Sequence, residues 1–184
     1  QYICDQKCYI GALFCNNPVD LVPRASLQES EGIPLLDQEV VKRRLAHIDR
    51  STPQGKRDYA LLCVILTANC RASEVAGLRC SHVDSASTPV AIIWEGRRQP
   101  KKAFTVLVPT ADQALREYLY TVYGDANLDG IPDDKLPIWI SFSQRTQRTS
   151  FQAISTQTIA DICQKYLGVS TIRAVRRLFF PKGA

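Results

Sequence analysis

The amino-acid sequence predicts a mainly α-helical domain that carries a small antiparallel β-sheet. Apolar side chains recur at helical spacing through most of residues 37–180, and two β-rich segments, residues 90–94 and 104–108, interrupt that pattern. The chain has 184 residues, of which 45% are hydrophobic and 22% charged, so it is long enough for one sizeable core. This composition excludes collagenous, low-complexity and wholly disordered proteins.

The beginning of the chain is predicted to join two domains. Residues 1–16 have the pattern of the end of a helix, and Pro18, Pro23 and Pro34 mark an extended connector. We therefore expect residues 1–32 to be the end of an N-terminal domain with its linker, and residues 33–184 to form the main domain. Because the chain begins with neither Met nor an apolar leader, we expect it to be a fragment.

The main domain is predicted to begin with three helices. Asp37 can cap the first, which has an apolar face on one side and basic residues on the other and which ends at residues 51–55. That face consists of Val40, Val41, Leu45 and Ile48. Residues 57–69 are apolar almost all round, which indicates a helix at the centre of the core. A short third helix is expected over residues 72–79.

The second half of the domain is predicted to begin with a hairpin and to continue as helices. The two β-rich segments are joined by a basic connector, residues 95–102, which predicts a β-hairpin. Residues 110–113 have the form of a capping box and indicate the start of a helix. Its apolar stripe consists of Leu115, Leu119, Val122 and Tyr123.

The end of the chain is predicted to add a buried extended segment and two helices. Residues 136–142, around Trp139, are expected to form the extended segment. A helix then begins at Ser155 or Thr156 and ends at Gly168, where a left-handed cap is expected. Its apolar face consists of Ile159, Ile162, Cys163, Tyr166 and Leu167. A final helix is expected over residues 171–180.

The cysteines argue against a metal site. There are seven, an odd number, and their spacing matches no zinc-binding pattern, so we expect neither metal nor cofactor. Cys63 and Cys70 lie within apolar helical patterns, which indicates buried free thiols in a reducing compartment such as the cytoplasm. No segment approaches the roughly 18 unbroken apolar residues that a membrane-spanning helix needs, so no membrane association is expected.

Positive charge is concentrated in a few clusters. The net charge is +5, and such clusters attract polyanions by displacing their condensed counterions, so nucleic acid is the expected partner. A solvated basic face is the alternative. The clusters comprise Lys42, Arg43, Arg44, Arg97, Arg98, Lys101, Lys102, Arg145, Arg148, Arg173, Arg176, Arg177 and Lys182.

One loop has part of a calcium-binding pattern. Asp125, Asn127 and Asp129 supply oxygen atoms at positions 1, 3 and 5, and Gly130 follows at position 6. Leu136 occupies position 12, where a bidentate Glu should complete the shell. A polar turn is therefore the preferred interpretation, and calcium binding is left open.

Residues 58–84 contain the first of three recognisable segments. The stretch Asn-Cys-Arg-Ala-Ser-Glu-Val at residues 69–75, with Asp-Tyr-Ala-Leu-Leu before it and Gly-Leu-Arg after it, resembles the first conserved box of the tyrosine recombinase, or phage integrase, family. The resemblance implies that Arg71 contacts the scissile phosphate and that Glu74 helps hold the site together. Without the resemblance, the pair would be interpreted as a local ion pair that caps a helix.

The other two segments extend the resemblance. The hairpin is similar to the β2–β3 hairpin of the family, which implies that Lys101 is the catalytic lysine. Lys102 and Arg97 are the other candidates for this role. The alternative is an exposed hairpin tip whose basic residues serve only solubility. The stretch Arg-Ala-Val-Arg-Arg-Leu-Phe at residues 173–179 resembles the family's second arginine box, with Arg176 as the second catalytic arginine. Arg173 replaces the usual His and cannot act as a neutral acid or base. A solvent-facing basic helix is the alternative.

The resemblance implies a recombinase catalytic domain, with residues 1–32 as the end of a DNA-binding domain. The full-length protein would cleave and rejoin double-stranded DNA through a phosphotyrosine, without metal, in a tetrameric synapse. Further DNA contacts are expected from Lys42, Arg43, Arg79, Arg97, Arg98, Lys102 and Arg177. Bacterial or phage origin, a mobile element and a cytoplasmic location are expected with them.

The family's nucleophile is expected beyond the chain. The family places it after the second box, whereas four tyrosines that could be considered precede that box and are expected to serve in packing. They are Tyr118, Tyr120, Tyr123 and Tyr166. The chain as given is therefore expected to be inactive, and a non-catalytic DNA-binding relic or regulator of the same fold is the alternative function.

Overall fold

The computed structural model describes residues 37–68, 70–95, 102–129, 131, 133–142, 151–170, 172 and 175. All of them belong to one compact unit, Leu35–Ala184. The boundary predicted after residue 32 lies outside the described residues and stays a prediction. In this described part of the chain, no helix is both long enough and apolar enough to cross a bilayer.

The described residues form five α-helices and a three-stranded antiparallel sheet, which confirms the predicted fold class. In chain order the elements are α1 (Gln38–Ala46), α2 (Pro53–Thr67), α3 (Ala72–Ala76), β1 (Val83–Asp84), β2 (Ala91–Glu95), β3 (Lys102–Val106), α4 (Pro109–Tyr123) and α5 (Thr156–Leu167). A 3₁₀ turn, Cys80–His82, precedes β1. Of the final helix predicted over residues 171–180, only Ile172 and Val175 are described, and both are helical and buried.

The first helices begin at side-chain caps. The Asp37 carboxylate accepts a hydrogen bond from the backbone of Glu39, as the sequence predicts for the start of α1. Helix α2 begins at Pro53, four residues before the predicted start, because the Thr52 hydroxyl caps it and Pro53 occupies its first position. A proline there loses no helical hydrogen bond, so the turn expected at residues 51–55 is in part the first turn of α2.

Helix α2 lies at the centre of the core, as predicted, and packs mainly against α4. Leu61, Leu62 and Val64 have no exposed surface. Near its start, α2 departs from the predicted apolar character. Arg57 and Asp58 are buried there as an ion pair, with Arg57 Nη2 and Asp58 Oδ1 2.7 Å apart. A buried pair of this kind is retained only when further hydrogen bonds satisfy its remaining polar atoms.

Helix α3 is shorter than predicted. It ends at Ala76, because the residues that follow Gly77 are extended and pair with a distant segment. The Leu78 carbonyl accepts from Ile138 N at 2.9 Å, and Cys80 N donates to the Leu136 carbonyl at 2.9 Å. This long-range pairing replaces the last predicted helical turn.

The hairpin is confirmed, with strand boundaries shifted by one or two residues. Strand β2 pairs with β3 and with β1, a two-residue strand that the sequence did not predict. Val90 lies outside β2 because its N–H donates to the Asp112 carboxylate at 3.1 Å. Val108 lies outside β3 because it is the N-cap residue of α4.

Helix α4 contradicts the predicted capping box. It begins at Pro109 with no side-chain cap, so Thr110 is already inside the helix. Asp112 instead accepts hydrogen bonds from Val90 N and, at 3.0 Å, from Arg116 Nε. The box was predicted from local spacing, whereas the carboxylate is used in a contact with another part of the chain.

The buried face of α4 is turned relative to the predicted stripe. Leu115 and Leu119 are fully buried as predicted, but Val122 and Tyr123 are only partly buried. The additional core residues are Ala111, Ala114 and Tyr118; the ring of Tyr118 has no exposed surface and stacks on that of Trp139 with centroids 5.5 Å apart. The packing role of Tyr118 is thus confirmed, and the Tyr123 ring stacks on that of Phe151, whereas Tyr120 is 65% exposed.

The extended segment around Trp139 and the helix that follows it match the predictions. Ile138, Trp139 and Ile140 are fully buried. Helix α5 begins after Ser155, whose hydroxyl accepts from Thr158 N at 3.0 Å, and ends at Gly168, which has a φ of +70°. The left-handed conformation favours glycine at that position.

The polar loop after α4 is tied to the domain by Asn127. Its side-chain oxygen accepts from Arg116 Nη1 at 2.6 Å, and its backbone N donates to the Asp125 carboxylate at 2.8 Å. Among the residues described, no three His, Cys, Asp or Glu side chains gather as a possible metal site, and Gly130 lies outside them. These contacts support the interpretation of the loop as a polar turn.

The predicted burial of Cys63 and Cys70 is confirmed, and neither forms a disulfide. Cys80 and Cys163 are likewise buried and form no disulfide. Burial raises the pKa of Cys163 to about 12 and that of Cys63 to about 11, because a thiolate would lose its hydration there. Burial raises the pKa of Tyr118 as well.

These shifts predict that the free energy of unfolding decreases above pH 9. In the unfolded chain the thiols ionise near the ordinary pKa of 9.0, whereas the native state keeps their protons until about pH 11 or above. The unfolded state then binds fewer protons, so each such thiol contributes a loss of up to about 1.4 kcal/mol per pH unit. Urea titrations between pH 8 and 10.5 measure this slope.

The Cys163→Ala variant is the control for that prediction. It removes one titrating group, so its stability should fall less steeply with pH than that of the parent, whatever its absolute stability. Equal slopes in parent and variant would show that Cys163 does not hold its proton in the native state.

Candidate active site

The residue that begins α3 is Arg71, and the chain on either side of it is anchored in the core. Ala68 and Cys70 before it, and Val75 after it, are at most 2% exposed. Arg71 itself has an extended backbone, with φ −95° and ψ 155°, and an exposed side chain. Arg71 is therefore a solvent-exposed arginine with buried residues before and after it in the sequence.

Glu74 fixes the backbone of Arg71. Its carboxylate accepts a hydrogen bond from Arg71 N at 2.7 Å, while the Arg71 carbonyl accepts from Glu74 N and Val75 N at 3.0 Å. The carboxylate thus caps α3 through the backbone, and the local ion pair considered as an alternative is not what holds it. Among the described residues, no carboxylate pairs with the Arg71 guanidinium.

A cavity of about 230 Å³ opens beside Arg71. Its lining comes from α3, the 3₁₀ turn and β2, and consists of Arg71, Ser73, Glu74, Gly77, Leu78, His82, Ile93 and Trp94. The hairpin strand and the arginine therefore share one cavity. An anion that entered it would meet the guanidinium without displacing a protein carboxylate.

Two cavity residues, His82 and Trp94, were not predicted. The His82 ring Nδ1 accepts from Arg79 N at 3.2 Å, so Nε2 carries the proton of a neutral ring with that bond. Trp94 Nε1 donates to Thr105 Oγ1 at 2.9 Å, which fixes the indole across the hairpin. The one local signal was that His82 follows Arg79 by three residues; the position of Trp94 depends on strand pairing.

Most of the other predicted catalytic residues are not described by the structure. Lys101, Arg173 and Arg176 lie outside the described residues, as do the predicted DNA-binding residues Arg97, Arg98 and Arg177. Lys102 is the first residue of β3, where its backbone is in register with Glu95 of β2. Their roles stay predictions.

The remaining predicted DNA-binding residues are exposed but differ in their contacts. Lys42 pairs with Glu39 at 2.8 Å on the surface of α1, and Arg43 is exposed beside it. Arg79 donates from Nη1 to the Lys135 carbonyl at 2.5 Å, so part of its guanidinium is already used. None of these three lines the Arg71 cavity.

Comparison with known proteins assigns the family. The model of the phage integrase family matches residues 34–173, which is most of the chain. The protein therefore belongs to the phage integrase family, as the resemblance predicted. The match ends at Arg173, so the assignment of the second arginine box stays a prediction.

The individual relatives are tyrosine recombinases. Tyrosine recombinase XerC of Yersinia pestis and XerC of Serratia marcescens are each 40% identical over 58 residues, 32% of this chain and 19% of theirs. The crystal structure of XerA recombinase is similar in fold, with a TM-score of 0.58 and 21% identity over 89% of this chain and 53% of that chain. The matches thus cover only about half of the solved relative and a fifth of the curated ones.

The cap on α3 predicts a measurable stability difference. Glu74→Ala should lower the free energy of unfolding by about 1 kcal/mol, because the Arg71 N–H loses its acceptor. Glu74→Gln should lose less, since its amide oxygen can still accept. Urea unfolding of both variants provides the measurement.

Glu39→Ala is the matched control. It removes a carboxylate from an exposed pair in the first turn of α1, where a loss below about 0.5 kcal/mol is expected. If Glu74→Ala cost no more than Glu39→Ala, the capping role of Glu74 would be wrong.

Proposed function

We propose that the chain is the catalytic domain of a site-specific recombinase that cleaves and rejoins double-stranded DNA. The observation that carries the proposal is Arg71, an exposed guanidinium on a fixed backbone that shares a cavity with strand β2 of the hairpin. Family membership supports the same conclusion. The reaction would conserve bond energy in a phosphotyrosine and would require no metal or cofactor.

Arg71 is suited to bind a phosphodiester. Its guanidinium can donate two parallel hydrogen bonds to non-bridging oxygens, which a lysine cannot imitate. As the nucleophile attacks, charge gathers on those oxygens, and a donor already in position stabilises it without reorganisation. Glu74 serves this role indirectly, because it holds the backbone from which Arg71 projects.

The other catalytic roles are proposed on the sequence match. Lys101 would protonate the leaving 5′-oxygen, since its hairpin begins at the cavity wall. Arg176 would share the phosphate with Arg71, and Arg173 would add a contact without acid–base function. A tetramer on DNA and a cytoplasmic location in a bacterium or phage host belong to the same proposal.

A first test is the salt dependence of DNA binding. The chain should bind duplex DNA, and Arg71→Ala should weaken binding and reduce the slope of log K against log salt by about 0.9, as expected for one lost phosphate contact. The fold should survive, because Glu74 holds the Arg71 backbone and not its side chain. Fluorescence anisotropy at several salt concentrations measures the slope.

Lys165→Gln is the control for charge alone. Lys165 is exposed on α5, with its ammonium 4.5 Å from the ring centre of Tyr166, and the variant loses the same formal charge as Arg71→Ala. An equal change of slope in both variants would mean that Arg71 acts only through net charge, against the proposal.

A second test asks whether any tyrosine of this chain is a nucleophile. We expect no covalent adduct with a nicked suicide substrate, because every tyrosine of this chain precedes the second arginine box and three of the described tyrosines are held by hydrogen bonds. Tyr118 donates to the Ile138 carbonyl, Tyr123 donates to the Pro137 carbonyl, and Tyr166 donates to Asp58 at 3.4 Å.

Denaturing gels with a complete tyrosine recombinase as positive control provide the readout. An adduct that peptide mapping placed on exposed Tyr120 would refute the assignment of a downstream nucleophile. The same gels on the natural gene product, with whatever sequence follows Ala184 in it, separate a recombinase from a DNA-binding relic, since only the recombinase forms the adduct.

A further inference from the structure

A second and larger cavity, which we call the α1–α2 groove, contains none of the proposed catalytic residues, and of its lining residues only Lys42 is among the predicted DNA contacts. It has a volume of about 720 Å³ and shares no lining residue with the Arg71 cavity. It lies between α1, α2 and the start of α4, and its lining consists of Lys42, Leu45, Ala46, Arg50, Tyr59, Cys63, Leu66, Thr67, Val108, Thr110 and Ala111. Its volume is typical of small-molecule sites.

The walls of the groove are apolar. Helices α1 and α2 contribute Leu45 and Leu66, and the N-cap residue of α4 contributes Val108. The nearby Thr67 hydroxyl is already satisfied, since it donates to the Cys63 carbonyl at 2.9 Å. A ligand inside the groove would therefore gain mainly by removing hydrocarbon from water.

The polar groups of the groove favour an anion. The Arg50 guanidinium lies over the Tyr59 ring, 4.8 Å from its centre, and has no carboxylate partner among the described residues. Lys42, the other cation, is held only by an exposed pair with Glu39. Burial raises the pKa of Tyr59, so its hydroxyl remains protonated and able to donate.

We propose that the α1–α2 groove binds a small anionic amphiphile, an acyl chain that ends in a carboxylate. The chain would lie along Leu45, Leu66 and Val108, and the carboxylate would accept hydrogen bonds from Arg50 at the mouth. The positive charge of Arg50 and Lys42 favours this ligand over a neutral or cationic one. The apolar walls favour it over a free inorganic anion, which has no hydrocarbon to bury. The proposal does not depend on the proposed recombinase function.

The test begins with binding of anilinonaphthalene sulfonate, a fluorescent apolar anion, and its displacement by dodecanoate. Displacement should strengthen roughly tenfold for every two methylenes added from octanoate to dodecanoate, because each buried methylene adds a similar increment. Dodecyltrimethylammonium, which has the same chain and the opposite charge, should displace the probe at least tenfold more weakly.

Two variants locate the site. Arg50→Gln should weaken dodecanoate about tenfold or more and leave 1-dodecanol unchanged, whereas the matched variant Arg43→Gln, on an arginine outside the groove, should change neither. Ala46→Trp places an indole in the groove from an exposed position at the end of α1, so it should abolish probe binding while the melting temperature is maintained.

Several results would overturn the proposal. Unchanged dodecanoate affinity in Arg50→Gln would remove the carboxylate site, and full probe binding by folded Ala46→Trp would place the probe elsewhere. Displacement of the probe by duplex DNA at the concentrations that saturate DNA binding would assign the groove to the DNA surface instead. Displacement of the probe and affinity for DNA are measured separately. A negative result for the groove therefore leaves the recombinase proposal intact.

Discussion

The buried ion pair of Arg57 and Asp58 is the interaction on which the domain depends. The side chain of Arg57 is 4% exposed and that of Asp58 is 2% exposed, and both lie near the start of the central helix α2. Arg57 also donates to the Ile140 carbonyl at 3.0 Å, and Asp58 accepts from the Tyr166 hydroxyl. The pair therefore joins α2, the extended segment and α5, and loss of one partner would leave a buried charge at a cost of about 3–5 kcal/mol.

Tyr118 carries that constraint towards the candidate site. Its hydroxyl donates to the Ile138 carbonyl at 3.0 Å and accepts from Ile140 N at 3.1 Å, so α4 also grips the extended segment. Ile138 N in turn bonds to the Leu78 carbonyl, just after α3. A continuous set of hydrogen bonds thus leads from the ion pair to Leu78, two residues after α3. Together with Glu74, it holds the backbone from which the exposed Arg71 side chain projects.

Elements whose ends depend on local chemistry could be predicted from the sequence. Ser155 and Gly168 bound α5 as expected, because a hydroxyl cap and a left-handed glycine act within one turn. The start of α4 was predicted to within one residue, but its capping was not, since Asp112 bonds to Val90, 22 residues away. Strand β1 could not be predicted, because it is two residues long and has no period of its own.

The candidate site divides in the same way. Arg71 and Glu74 were found because they lie three residues apart in a recognisable box, although the carboxylate contacts the backbone and not the guanidinium. Trp94 reaches the cavity through strand pairing, which no local pattern reveals, and His82 reaches it through the 3₁₀ turn, whose one local signal is the three-residue spacing from Arg79. Sequence therefore identified the charged groups, and tertiary structure supplied the walls around them.

The hydrogen bond from Arg44 Nη1 to the Leu167 carbonyl, 2.5 Å long, changes how the basic clusters are to be counted. By sequence Arg44 belongs to the basic cluster on α1, yet its guanidinium binds the carboxyl end of α5. A Cβ atom added at Gly168 would lie only 2.9 Å from the same nitrogen. Arg57 likewise uses its N–H donors internally, on Asp58 and the Ile140 carbonyl. The charge of Arg44 remains at the surface, but the N–H that it donates to Leu167 cannot also be donated to a phosphate, so the chain offers a polyanion fewer hydrogen-bond donors than its arginine count suggests.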